Sequence, residues 1–133
     1  MKVNWWPFAL IFYTDNLPVD SAVPPTWRLA GTQRGFIVSL RPEYRGDEGL
    51  LAHELVHIGQ AWRLLMIGHA LLYLFNRRYK LWAEVQAYRE QMRHPDRKGN
   101  YMDLDSAVRR LRSPRYGFDL TEVQARAALL RID

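Results

Sequence analysis

The chain has 133 residues, enough for one domain with a core of its own. Its apolar content of 48% and aromatic content of 13% exclude a disordered chain, and its lack of cysteine excludes disulfides and thiolate metal sites, so any zinc must be held by histidine and carboxylate. The net charge of +5 raises the question of an anionic partner, but the arginines are scattered, with no continuous basic run, stacking motif or reading helix, so a solvated basic surface is expected and no nucleic acid.

Met1 to Tyr13 is apolar and aromatic, but Pro7 interrupts it and no small-residue cleavage site follows, so no signal peptide is expected and the location is read as cytoplasmic. Phe8 to Tyr13 has strand chemistry, and Asp15 to Pro18 reads as a turn. Pro24-Pro25 forbids regular structure nearby, and Trp27 to Ala30 reads as a short strand closed by Gly31. Gly35 to Leu40 is the clearest strand, bounded by Gly35 and Pro42, and Arg41 to Gly46 is a loop.

A helix is predicted over Glu48 to Trp62, with Asp47 as N-cap and Glu48 favourable in the first turn. Leu51, Leu55, Ile58 and Trp62 recur at helical spacing. Leu64 to Phe75 is expected as a second, buried helix or helix-loop against the back of the first, with Gly68 marking a bend; it is too short to span a bilayer. Asn76-Arg77-Arg78 breaks the apolar run, and a third helix covers Leu81 to Met92, stopping before Pro95. After the polar loop His94 to Asn100, a short helix Leu104 to Leu111 is capped by Asp103, Ser113 to Gly117 is a connection, and a last helix covers Leu120 to Leu130 with Asp119 or Thr121 near its start. A few strands followed by several helices make an α+β fold in one domain spanning residues 1–133.

The first helix carries His-Glu-x-x-His as His53, Glu54 and His57. Residues four apart lie one turn above each other on one helix face, so both imidazoles reach a single metal ion; the competing reading is two solvated histidines. Glu54 sits beside that face, placed to take a proton from a metal-activated water rather than to bind the metal. A catalytic zinc takes three protein ligands, and three candidates follow in the chain. His69 lies in an apolar run, where a core histidine is the plainer reading, and His94 lies in a loop with only its residue type in favour. Glu84 lies on the third helix, where a carboxylate packed against the motif helix makes a His-His-Glu set; the equal alternative is a surface glutamate beside Arg77, Lys80 or Arg89. A metzincin site is excluded, because Gln60 and Arg63 stand where that pattern needs glycine and histidine.

His-Glu-Leu-Val-His followed by Leu-Trp-Ala-Glu84-Val-Gln-Ala87-Tyr88 resembles the gluzincin metallopeptidases, which place a third ligand in a Glu-x-x-Ala pattern on a downstream helix. The match is nearest to small HExxH proteins of bacterial and phage genomes, in which the motif is often followed by glutamine and a Trp-Arg pair, here Gln60, Trp62 and Arg63; it covers roughly Phe36 to Tyr88. The resemblance implies a small zincin-like domain, with a short, mostly antiparallel sheet and a helical bundle. It implies Zn2+ held by His53, His57 and Glu84, and an edge strand around Phe36 to Leu40 that pairs with an extended substrate peptide. Two departures stand out. Tyr88 occupies the position where gluzincins commonly carry an acidic residue behind a histidine, which leaves that support to Asp103 or a backbone carbonyl. The residue that stabilises the oxyanion is open among Tyr79, Tyr88, Tyr101, Tyr116 and His94.

The expected function is a zinc metallopeptidase acting on a peptide or protein through a zinc-activated water, with Glu54 as general base and a dedicated protein partner conceivable for so small an enzyme. The alternative is a catalytically weak or inactive zincin-fold protein that serves as a binding or structural module. A nucleic-acid-binding module, suggested by charge alone, ranks last.

Overall fold

The computed structural model describes residues 1–17 and 30–131. Pro18, Pro24, Pro25 and Trp27 to Leu29 lie outside the described residues, and Ala30 sits in a bend. The fold is α+β, a four-stranded mixed sheet followed by five helices. The strands are β1 (Lys2–Trp5), β2 (Phe8–Tyr13), β3 (Gly31–Arg34) and β4 (Ile37–Leu40), in the spatial order β1-β2-β4-β3. The β1–β2 and β3–β4 pairs are antiparallel and β2–β4 is parallel.

Two strands depart from the sequence reading. β1 lies in the stretch before Pro7, which the Trp6-Pro7 turn folds back on β2. β3 has the polar sequence Gly-Thr-Gln-Arg, with no strand-like apolar run to announce it. The strand expected over Gly35 to Leu40 begins only at Ile37, because Gly35, at φ +58, and Phe36 form the two-residue connection of the β3–β4 hairpin. β4 is therefore an inner strand, and the edge strand placed around Phe36 to Leu40 is corrected to β3.

Helix α1 (Glu48–Arg63) starts where expected, with Asp47 accepting a hydrogen bond from the Leu50 amide at 2.8 Å. It lies against the sheet, burying Ile58 among Ala9, Ile11, Val38 and Leu40. Helix α2 (Ile67–Phe75) starts three residues later than the apolar run does. The turn before it passes through Leu65 and Met66 at φ 55 and 60, so the bend falls there rather than at Gly68. The two helices meet at 112°. α2 was expected to be buried behind α1; instead only His69 is buried, and its ring lies 6.4 Å from that of His57.

Asn76 does not open a gap before the third helix. Its side chain accepts from the Tyr79 amide at 3.0 Å and caps α3 (Arg77–Gln91), which thus begins four residues early. Asp103 caps α4 (Leu104–Leu111), and Thr121 with Gln124 forms a capping box for α5 (Glu122–Leu130). A second core joins Val85 and Tyr88 of α3 to Val108, Leu111 and Leu129, closed by Tyr116 and Phe118. No single helix among the described residues is long and apolar enough to cross a membrane.

The contact of α1 with α3 positions the site, and small residues permit it. Ala83 and Ala87 are fully buried. A Cβ on Gly49 would lie 2.8 Å from the His94 carbonyl oxygen and 3.2 Å from that of Gln91, so only glycine lets the start of α1 reach the end of α3.

Candidate metal centre

Glu84 is 1% exposed, and its carboxylate lies at the α1–α3 contact. His53 Nε2 stands 3.5 Å from its Oε2 and His57 Nε2 stands 3.4 Å from its Oε1. His53, His57 and Glu84 form the one group of this kind among the described residues, with donor atoms within 4.8 Å of one another. Of the third-ligand candidates, the fold thus brings Glu84 to the histidines and removes the surface reading. His94 is engaged with Glu90 at 3.1 Å. His69 is buried near the group but outside it, its Nδ1 sharing a hydrogen bond with Tyr79 Oη at 2.7 Å.

The tautomer of His57 follows from its neighbours. Gln60 Nε2 donates to the Ala83 carbonyl at 3.2 Å, which leaves Gln60 Oε1 facing His57 Nδ1 at 3.0 Å. An amide oxygen only accepts, so Nδ1 carries a proton and, in the neutral ring, the Nε2 lone pair points toward Glu84. That is the form a metal requires, oriented from behind by a fixed partner. Asp103, considered for this role from the sequence, is an exposed helix cap, and Gln60 takes its place. His53 is held differently. Its Nδ1 is buried with no hydrogen-bond partner, and the Tyr88 ring packs against it edge-on at 4.5 Å between centroids.

Two tyrosines close the other side of Glu84. Tyr73 Oη donates to Oε1, and Tyr116 Oη donates to Oε2 at 3.0 Å. Because the proton of Tyr116 is committed to the carboxylate, the 2.7 Å contact between Tyr88 and Tyr116 has Tyr88 as donor. Burial and the charge of Glu84 push the Tyr73 and Tyr116 phenols up, which keeps both as neutral donors. Burial alone would also raise the Glu84 carboxyl, but His57 and His53 outweigh it and hold it well below the usual range. Burial likewise pulls His57 down, and the Glu84 carboxylate overcomes this and raises the imidazole to about 9. His69 is lowered to about 4 by burial and by the charge on His57.

The group opens on a cavity of about 800 Å³. Glu54, 7% exposed, lines it beside the two histidines. The edge strand β3 forms one wall, Met66 and α2 form another, the helix through Ile67 and Tyr73, and Lys80 and Arg115 stand on the remaining side with Tyr116. Of the five oxyanion candidates Tyr116 alone lines the cavity, and its own proton is given to Glu84. Tyr101 is exposed, and neither it nor His94 lines this cavity. Tyr79 and Tyr88 are committed to His69 and Tyr116. The sequence reading missed Tyr73, and it named Gln60 beside the motif without its hydrogen bond to His57. Tyr73 stands four residues past His69, on the same face of α2, and that spacing was the available signal.

The three donors suit zinc in kind, since two imidazoles and one carboxylate make a set with room for a fourth ligand. Two ligand atoms each about 2.0–2.1 Å from zinc at a tetrahedral angle stand about 3.4 Å apart; His53 and His57 meet different oxygens of Glu84, at 3.5 and 3.4 Å, and the three donors lie within 4.8 Å of one another. Comparison of the chain with family models, with curated proteins and with solved structures finds no match in any of the three.

Proposed function

We propose that the protein is a zinc-dependent metallopeptidase of the gluzincin kind, with His53, His57 and Glu84 as ligands and Glu54 as general base. The observation that carries this reading is the orientation of His57. Its Nδ1 proton is committed to Gln60, so Nε2, where a metal would take the place of a proton, faces a carboxylate and a second imidazole. When bound, zinc would supply a Lewis acid that polarises a substrate carbonyl and acidifies a water. Glu54, on the cavity wall next to both histidines, accepts the water proton and passes it to the leaving amine. β3, an edge of the sheet among the described residues, would offer that edge to an extended peptide, whose main chain would add to the sheet beside the histidines. Tyr73 and Tyr116 fix the carboxylate of Glu84 and line the same cavity.

The test measures zinc content and peptidase activity on a broad peptide library for the wild type and for Glu54→Gln. The expected outcome is about one zinc per chain in both proteins, with activity falling in the variant by about 10²–10⁴-fold. Full activity in Glu54→Gln would remove Glu54 from the chemistry.

A second reading rests on Glu84 itself. Its two oxygens are already served by Tyr73, Tyr116 and the imidazoles, so Glu84 is satisfied as a buried carboxylate by the protein's own groups. That arrangement suits a zincin-fold binding module, which would take up zinc, be stabilised by it and cleave nothing in the library.

A further inference from the structure

The outer face of α2 is an exposed apolar surface. Ile67, Leu71, Leu74 and Phe75 are 73, 54, 73 and 82% exposed, and they recur at the spacing of a single helical stripe. Leu65, 82% exposed, extends the stripe past the start of the helix. A contiguous apolar face of this kind on a small protein marks a contact surface rather than scattered exposure.

The charges around the stripe say what it contacts. From Leu55 to Ala83 the sequence contains no aspartate or glutamate, while Arg63 lies before α2 and Arg77, Arg78 and Lys80 follow it. Arg63, Arg77 and Arg78 are exposed, and none of the three is in an ion pair among the described residues. An apolar face followed by exposed cations, on a stretch of chain that carries no acid, is the pattern of a helix that lies in the interface of an anionic bilayer. A second copy of the chain fits less well, because pairing two such faces brings the like charges of Arg77 and Arg78 together. At nine residues α2 is about 14 Å long, far short of a span.

We infer that the α2 stripe docks this protein on a membrane surface rich in anionic phospholipid, with Ile67, Leu71, Leu74 and Phe75 in the acyl boundary and Arg63, Arg77 and Arg78 at the headgroups. Ile67 and Leu74 also line the rim of the cavity, so docking would set its mouth at the lipid surface. The inference does not depend on zinc or on peptidase activity.

The experiment is flotation of the full chain with vesicles of phosphatidylcholine alone and of phosphatidylcholine with phosphatidylglycerol, with zinc and with chelator. Molecular mass in vesicle-free solution is measured alongside. The expected result is a monomer that floats with the phosphatidylglycerol vesicles alone, equally with and without zinc. Leu71→Glu/Phe75→Glu should weaken partitioning by at least about tenfold while the circular dichroism stays that of the wild type. Should that variant misfold, Arg77→Gln/Arg78→Gln tests the charge part and should also lower binding severalfold. Three results overturn the inference: no binding to either vesicle; binding that neither variant weakens; or a dimer that Leu71→Glu/Phe75→Glu dissociates and that ignores vesicles.

Discussion

Helices α1 and α2 are neighbours in the chain with opposite fates. α1 buries eight of its sixteen residues, and four of those are His53, Glu54, His57 and Gln60. α2 is apolar at nearly every position, yet it buries His69 alone. The more hydrophobic helix is thus the more exposed one, and the buried helix carries the charges. Topology sets this. α1 is enclosed between the sheet and α3, whereas α2 has α1 and α3 on its inner side and nothing on its outer side among the described residues. Enclosure is also what makes the polar face of α1 useful, because a carboxylate and two imidazoles kept from water interact strongly.

The contrast predicts unequal responses to mutation. Ile58, fully buried between α1 and the sheet, should be the costly position. Ile58→Ala should lower stability by about 2–5 kcal/mol in a urea melt of the metal-free protein. A change below about 1 kcal/mol would mean that α1 is not the enclosed helix.

Next in size is a pH effect confined to the α1–α3 contact. In the metal-free protein His57 is raised from 6.5 to about 9 by Glu84, against the opposing pull of burial. A group raised on folding contributes stability that is fully present below its unfolded value and is lost as pH rises through the folded one. The metal-free protein should therefore weaken between about pH 6.5 and 9, by on the order of 2–3 kcal/mol. Zinc competes with the same proton, so the gain in Tm on adding zinc should widen over that window. A gain that stayed constant across it would detach His57 from both the carboxylate and the metal.

The two helices were also unequally legible in the sequence. Cap, acidic first turn and period agreed on α1, and the structure places its start at Glu48 with Asp47 as cap. The histidine pair followed from the helix alone. Glu84 did not, since its residue type fitted a surface ion pair equally well, and only the close approach of Gly49, Ala83 and Ala87 puts it under the histidines. For α2 the apolar period was visible, but a period tells which residues share a face and not whether another element covers it. β3 was invisible for a related reason: Gly-Thr-Gln-Arg earns its place by pairing with β4, a long-range fact that composition does not carry. Gln60 could be seen beside the motif, but its role depends on the Ala83 carbonyl of another helix.

Gln60 gives a smaller and sharper test of the α1 side. Gln60→Ala removes the acceptor of His57 Nδ1 and frees the ring to rotate or change tautomer. Zinc affinity should fall about 10–100-fold, with the fold and the Glu84 contacts retained. Competition with a chromophoric chelator measures this directly, and an unchanged affinity would show that packing alone orients the imidazole.

The smallest effect belongs to the outer face of α2. Phe75, at the end of the helix, is 82% exposed, so its side chain contributes little to the folded state of a chain free in solution. Phe75→Ala also places a better helix former there. Stability in the absence of vesicles should stay within about 0.5 kcal/mol of wild type, read from the same urea melt as Ile58→Ala. A loss approaching the Ile58→Ala value would mean that this face is covered in solution, by a second copy or by the chain itself. The difference between the two helices would then be one of partners rather than of exposure, and the lipid surface would lose its place as the contact that α2 is built for.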